Sequence, residues 1–116
     1  HALGFPDRLD INVERLNLTK LSKLHFEAVN HEAFPALALA RQASAEGGDR
    51  PIILNAANEV AVDAFLNAHI AFTEITELVS DCLNQIARQP ISSIDDVLSI
   101  DRMSRQIADV WITERA

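Results

Sequence analysis

Two regimes of apolar spacing meet near Asn30. Before that point the chain carries no helical period. Leu16 and Leu18 alternate with polar neighbours. Leu24, Phe26 and Ala28 then alternate with Lys23, His25 and Glu27. That is the period of a strand with one buried face. A lone short strand leaves its edges unpaired. It therefore either pairs within this segment or is built for a sheet lying elsewhere. Pro6 and the polar spacing around it predict an extended linker ahead of the strand.

After Asn30 the period becomes helical. Pro35 suits the first turn of a helix, where its missing N–H costs nothing, and Leu37, Ala38, Ala40 and Arg41 continue it with good propensity. Gly47 and Gly48 end that helix, because glycine accepts the left-handed cap conformation. Pro51 opens the next one, whose stripe is Leu54, Ala57, Ala61, Ala64, Phe65 and Ala68, at offsets of three and four. Val60, Val62 and Leu66 fall outside that stripe, which predicts cover on more than one face. Thr73 is the expected N-cap of a third helix, striped by Ile75, Leu78, Val79, Cys82, Leu83 and Ile86 and stopped by Pro90. Ser92 or Ser93 caps the last segment, with Asp95 and Asp96 at the positive end of its dipole. Its apolar phase slips near Ser99, which predicts a break or kink there. The fold class is thus all-α: a bundle of about four helices over residues 31–116, preceded by an extended linker with a short strand over residues 1–30.

Length and charge narrow the options. The chain has 116 residues, enough for one domain with its own core. Hydrophobic residues make up 48 % but aromatics only 5 %, without tyrosine, so Leu, Ile, Val and Ala must fill the core. The formal net charge of −7 argues against nucleic acid, which demands a basic face. No apolar run approaches the roughly 20 residues that span a bilayer, and no basic-then-apolar leader opens the chain. The single cysteine cannot form an internal disulfide, which fits a reducing, cytoplasmic setting. A start at His1-Ala2-Leu3-Gly4-Phe5-Pro6 predicts a cut inside a longer chain.

Catalytic, cofactor and metal residues are expected to number none. His25, His31 and His69 lie too far apart to share a helix face as paired ligands, and no second cysteine exists. Asp95, Asp96 and Asp101 are better explained as helix-start charge than as a metal cluster. Gly47-Gly48 belongs to no nucleotide-binding pattern. Cys82 lies on an apolar stripe, where burial raises a thiol's pKa and silences it. The one peculiarity is Leu54-Asn55-Ala56-Ala57-Asn58-Glu59. Asn55, Asn58 and Glu59 share a face at i, i+3 and i+4, although asparagine is a poor helix former. Either they form a solvated face near a helix start, or a hydrogen-bonding strip where this helix docks on another element or domain.

The stretch Leu54 to Leu66, followed by Ile70-Ala71-Phe72-Thr73-Glu74-Ile75, resembles the C-terminal region of the 1-deoxy-D-xylulose 5-phosphate reductoisomerases. Phe5-Pro6-Asp7-Arg8, Leu16-Asn17-Leu18, Leu24-His25-Phe26-Glu27 and Phe34-Pro35 match that family's linker, and Asp95-Asp96-Val97-Leu98 matches a segment near its end. The resemblance implies a role within an enzyme that rearranges 1-deoxy-D-xylulose 5-phosphate and reduces the intermediate with NADPH. The product is 2-C-methyl-D-erythritol 4-phosphate, on the non-mevalonate isoprenoid route. Magnesium or manganese holds the substrate, and the enzyme is a homodimer. The family's nucleotide loop, metal ligands and phosphate-binding residues lie upstream and have no counterpart here. What the resemblance implies is therefore a structural domain, inactive alone, whose partner is the upstream catalytic domain of the same chain. The alternative is an independent helical interaction module, which should complete its core without the strand at Leu24 to Ala28.

Overall fold

The computed structural model describes residues 2–115. A single 3-10 turn, Ala2–Gly4, and five α-helices follow in order: α1 (Leu18–Leu21), α2 (Ala36–Glu46), α3 (Arg50–Leu66), α4 (Phe72–Gln85) and α5 (Ile94–Arg115). The last four make the bundle, with α3 packed against each of the others and α4 also against α5. The residues before α2 form an arm. Every large apolar side chain described there is exposed, Phe26 at 88 %. The radius of gyration is 19.2 Å, against about 13 Å for a compact domain of this length.

The arm departs from expectation twice. Leu18–Leu21 is one short helix, started by Asn17, whose Oδ1 accepts from the Thr19 N–H at 3.1 Å and the Thr19 hydroxyl at 2.6 Å. A side-chain cap made locally needs no helical period to announce it. Conversely, residues 22–30 carry no strand. Their alternation is present, but no second strand exists among the described residues to receive their backbone hydrogen bonds.

In the bundle, α3 sets the geometry. Ile53, Ala56, Ala57, Ala61 and Ala64 are buried on it. The expected stripe is right at Ala57, Ala61 and Ala64, but Ile53 and Ala56 join it while Phe65 stays on the rim. Cover from α2, α4 and α5 widens the buried face beyond one stripe, and the alanines permit the close approach. Helix α2 stops where Gly47 (φ 66°, ψ −157°) and Gly48 (φ 59°) turn left-handed. A Cβ at either would meet nothing within 4 Å, so the constraint there is on the backbone alone.

Helix α4 begins one residue before the predicted cap. Ala71 precedes it without a side-chain oxygen, and Glu74 Oε2 instead accepts the Ala71 N–H at 2.7 Å. Leu78, Val79 and Cys82 are buried as the stripe predicts, with Ile86 just beyond the last turn. Ser93 does cap α5, its Oγ accepting from the Asp96 N–H at 3.2 Å, while Asp96 Oδ2 accepts from the Ser92 N–H and hydroxyl, both at 2.9 Å. No break falls near Ser99: α5 runs unbroken for 22 residues. Its first turns expose Ile94 and Leu98, and only from Ile100 does a core stripe of Ile100, Ser104, Ala108 and Trp111 begin. The phase slip coincides with a change of cover. Buried Ser104 spends its hydroxyl on the Ile100 carbonyl at 2.7 Å, the i−4 bond open to serine in a helix.

Candidate functional site: the docking surface

The three residues singled out on α3 lie together and exposed. Asn55 Nδ2 donates to Glu59 Oε1 at 3.3 Å. Glu59 Oε2 accepts from Arg105 Nη2 of α5 at 2.6 Å, and Arg105 Nε donates to Asp101 Oδ2 at 2.8 Å. Arg105 thus sits between two carboxylates and ties α3 to α5. Its hydrogen bond holds the Glu59 carboxyl below its usual range, aided by charge and by Asn55, and the two acids push the guanidinium upward in turn. Asn58 borders a hollow of about 60 Å³ lined by Ala36, Leu39, Leu54, Ile75 and Val79. Asn55 and Glu59 of the strip are thus engaged within the chain, and Asn58 is exposed beside the hollow.

Two further arrangements escaped the sequence reading. Asp49 and Arg50 form a buried bidentate pair, Nε to Oδ1 at 3.0 Å and Nη2 to Oδ2 at 3.1 Å. Arg50 Nη1 also donates to the Leu83 carbonyl at 2.7 Å and Nη2 to the Ile86 carbonyl at 2.8 Å. Those carbonyls belong to the end of α4, where a helix leaves acceptors unsatisfied. Asp49 Oδ2 in turn accepts from the Gln89 N–H at 2.8 Å. On the same helix, Asp81 Oδ2 accepts from Trp111 Nε1 at 2.7 Å, and the Arg115 guanidinium lies 3.9 Å from the Trp111 ring centroid. A lone Asp-Arg pair before a proline reads as surface charge, so only its tertiary partners reveal it.

Elsewhere the chemistry is that of a core. Cys82 is fully buried, and burial, with Asp81 nearby, pushes its thiol up to about 11. Reaction with a thiol reagent at pH 8 should be slower than in the unfolded chain by about a hundredfold or more. Fast labelling of the folded chain would contradict its burial. Among the described residues no group of three His, Cys, Asp or Glu is placed to hold a metal, and no helix is long and apolar enough to cross a membrane. A groove of about 640 Å³ runs between the start of α2 and α4, with Phe34, Leu39, Phe72 and Arg115 among its walls.

A helical bundle with a self-contained core, a partly engaged polar strip and a long arm of exposed apolar side chains defines a class: an all-α accessory domain with an apolar tether. Residues 1–107 match the family model of the DXP reductoisomerase C-terminal domain, and the chain belongs to that family. It is 49 % identical over 113 residues to the 1-deoxy-D-xylulose 5-phosphate reductoisomerase of Nitrosospira multiformis, covering 97 % of this chain and 29 % of that protein. With the enzyme of Pseudomonas aeruginosa it shares 42 % identity over 116 residues, 100 % of this chain and 29 % of the relative. Among solved structures, the reductoisomerase from Zymomonas mobilis in complex with NADPH superposes with a TM-score of 0.87 at 41 % identity, over 97 % of this chain and 30 % of that one. A DOX-P reductoisomerase in complex with NADPH, fosmidomycin and magnesium gives 0.81 at 34 % identity, with the same coverage. The chain thus spans under a third of the length of the relatives it matches.

Proposed function

We propose that this chain serves as the linker and C-terminal helical domain of a 1-deoxy-D-xylulose 5-phosphate reductoisomerase, docking on an upstream catalytic domain and supporting the walls of its active site. The observation that carries this reading is coverage. Nearly all of the chain aligns, at 42–49 % identity, with about 29 % of proteins bearing that one activity. The bundle completes its core without Leu24 to Ala28, as an independent module would, but the exposed apolar arm favours the docked domain, because a self-sufficient module has no use for a tether that buries none of its large side chains. The parent would be a homodimeric, cytoplasmic oxidoreductase.

NADPH and magnesium or manganese would belong to the upstream part. The donor groups here do not fit either. The Asp96 carboxylate is engaged by the Ser92 N–H and hydroxyl, and Asp101 by Arg105. The glycine pair precedes α3, but Arg50, the cation at that helix start, is buried and spent on Asp49 and on the Leu83 and Ile86 carbonyls. The chain's own part in the chemistry is positional: a rigid bundle that holds a wall in place.

A chimera tests this. The N. multiformis enzyme carrying this chain in place of its matching segment should oxidise NADPH when given 1-deoxy-D-xylulose 5-phosphate and magnesium. A folded, soluble but inactive chimera would overturn the reading. Within that chimera, Asn58→Ala should lower the melting temperature or activity more than Asp63→Ala, since Asn58 is exposed in this chain and would be covered by the proposed docking partner. A buried polar group left unpaired costs about 1–3 kcal/mol. Equal effects from the two substitutions would reduce the strip to a solvated face.

A further inference from the structure

We infer that residues 23–28 add an edge strand to a β-sheet in the upstream part of the parent protein, an inference that rests on the reading just given. Four observations meet in this segment. First, its side chains alternate, Leu24, Phe26 and Ala28 against Lys23, His25 and Glu27. Second, from Leu24 to Val29 no backbone N–H or carbonyl makes a hydrogen bond among the described residues. Third, the segment is bounded. Ser22, at φ 50°, breaks it from α1. Asn30 closes it with a turn, its Oδ1 accepting from the Glu32 N–H at 3.2 Å and the Ala33 N–H at 3.1 Å. Fourth, the chain covers only about 30 % of its relatives, so most of the protein that could receive the segment lies outside it.

Burying the apolar side chains forces the conclusion about the backbone. Phe26 cannot be taken out of water without the peptide groups on either side of it, and buried peptide groups are almost always paired. A loop leaves them unpaired, whereas a strand pairs them in a row. The remaining side chains decide the position in the sheet. Lys23, His25 and Glu27 would line the opposite face and must stay wet, as on a sheet covered on one side only. A charged strand of about six residues with lysine at its end also matches the strands that close sheet edges. The partner is thus a sheet edge with an apolar face, recognised by main-chain hydrogen bonds and by sockets for alternate side chains.

Residue-resolved hydrogen exchange on the full-length parent tests the strand. A strand paired on one side points alternate N–H groups at its partner. Every second amide between Lys23 and Val29 should therefore be slowed by about a hundredfold or more, with those between near the unprotected rate. Phe26→Asp should abolish that protection and His25→Asp should keep it. Unprotected amides throughout, in an active parent, would overturn the strand and leave the reductoisomerase reading standing. Protection of every amide in that range would overturn the edge position. The same pattern in this chain alone would place the partner within it or in a second copy, and overturn the upstream sheet. Alternating protection in a parent without reductoisomerase activity would sink the reading and leave the strand.

Discussion

Replacing Arg50 with alanine should lower the stability of the bundle by about 3–5 kcal/mol, the usual loss when one partner of a buried ion pair is removed. The Arg50 and Asp49 side chains are only 7 % and 3 % exposed. Without the guanidinium the Asp49 carboxylate keeps one N–H partner, Gln89, and the Leu83 and Ile86 carbonyls lose theirs. Arg50→Lys should recover only part of the loss, because an ammonium cannot fork to a carboxylate and reach two carbonyls at once. Changing both partners, Asp49→Asn with Arg50→Met, should cost less than the single alanine, since no lone charge is left buried. Urea unfolding followed by the fluorescence of Trp111, the chain's one tryptophan, reads all three. A loss under about 1 kcal/mol for Arg50→Ala would show that the pair contributes little.

The same pair sets an acid limb. The hydrogen bond from Arg50 holds the Asp49 carboxyl below its ordinary value of 3.8, with the Gln89 N–H adding to it, against the opposing effect of burial. A depressed folded pKa means the unfolded chain takes up the proton first as pH falls. The contribution is therefore complete above about pH 4 and is lost as pH drops through the lower folded value. In Asp49→Asn that part of the acid dependence should disappear.

Leu78→Ala should cost about 2–5 kcal/mol. Leu78 is fully buried and shares one core cluster with Ile53, Ala57, Cys82 and Trp111. Four of the twelve buried members of that cluster are alanines, which have no flexible side chain with which to fill a void, so the upper half of that range is expected. Leu98→Ala is the matched control. Leu98 is 53 % exposed on the first turns of α5, and its loss should stay within about 0.5 kcal/mol. Similar urea midpoints for the two variants would mean that the core is not where the burial pattern puts it.

What could be read from the chain alone follows the range of the forces involved. Gly47, Pro51 and Ser93 act on their immediate neighbours, and each places its helix end within a residue or so. Cys82 was recognisable as a core thiol because its stripe is local. Thr73 misled because the acceptor at the start of α4 is supplied from inside the helix by Glu74, leaving the position before it free to be alanine. Ser99 misled as a break because an apolar phase shift looks alike whether a helix is interrupted or its cover changes. Glu59 and Arg105 stand 46 residues apart, and Arg50 reaches its carbonyls across 33 and 36. No local spacing announces such partners. The strip on α3 was legible as a strip, but its link to α5 was not.

Gly47 has a consequence for stereochemistry. Its torsions, φ 66° and ψ −157°, are the mirror image of ordinary polyproline-like backbone. Space does not exclude a side chain there; the handedness of the α-carbon does. L-Alanine would be strained at that turn, whereas D-alanine, introduced by chemical ligation, would find its preferred torsions already in place. It would also narrow the unfolded ensemble, and melting of the ligated chain should show a gain of about 0.4–1 kcal/mol. The end of α2 is thus a site where the opposite enantiomer is the better-fitting residue.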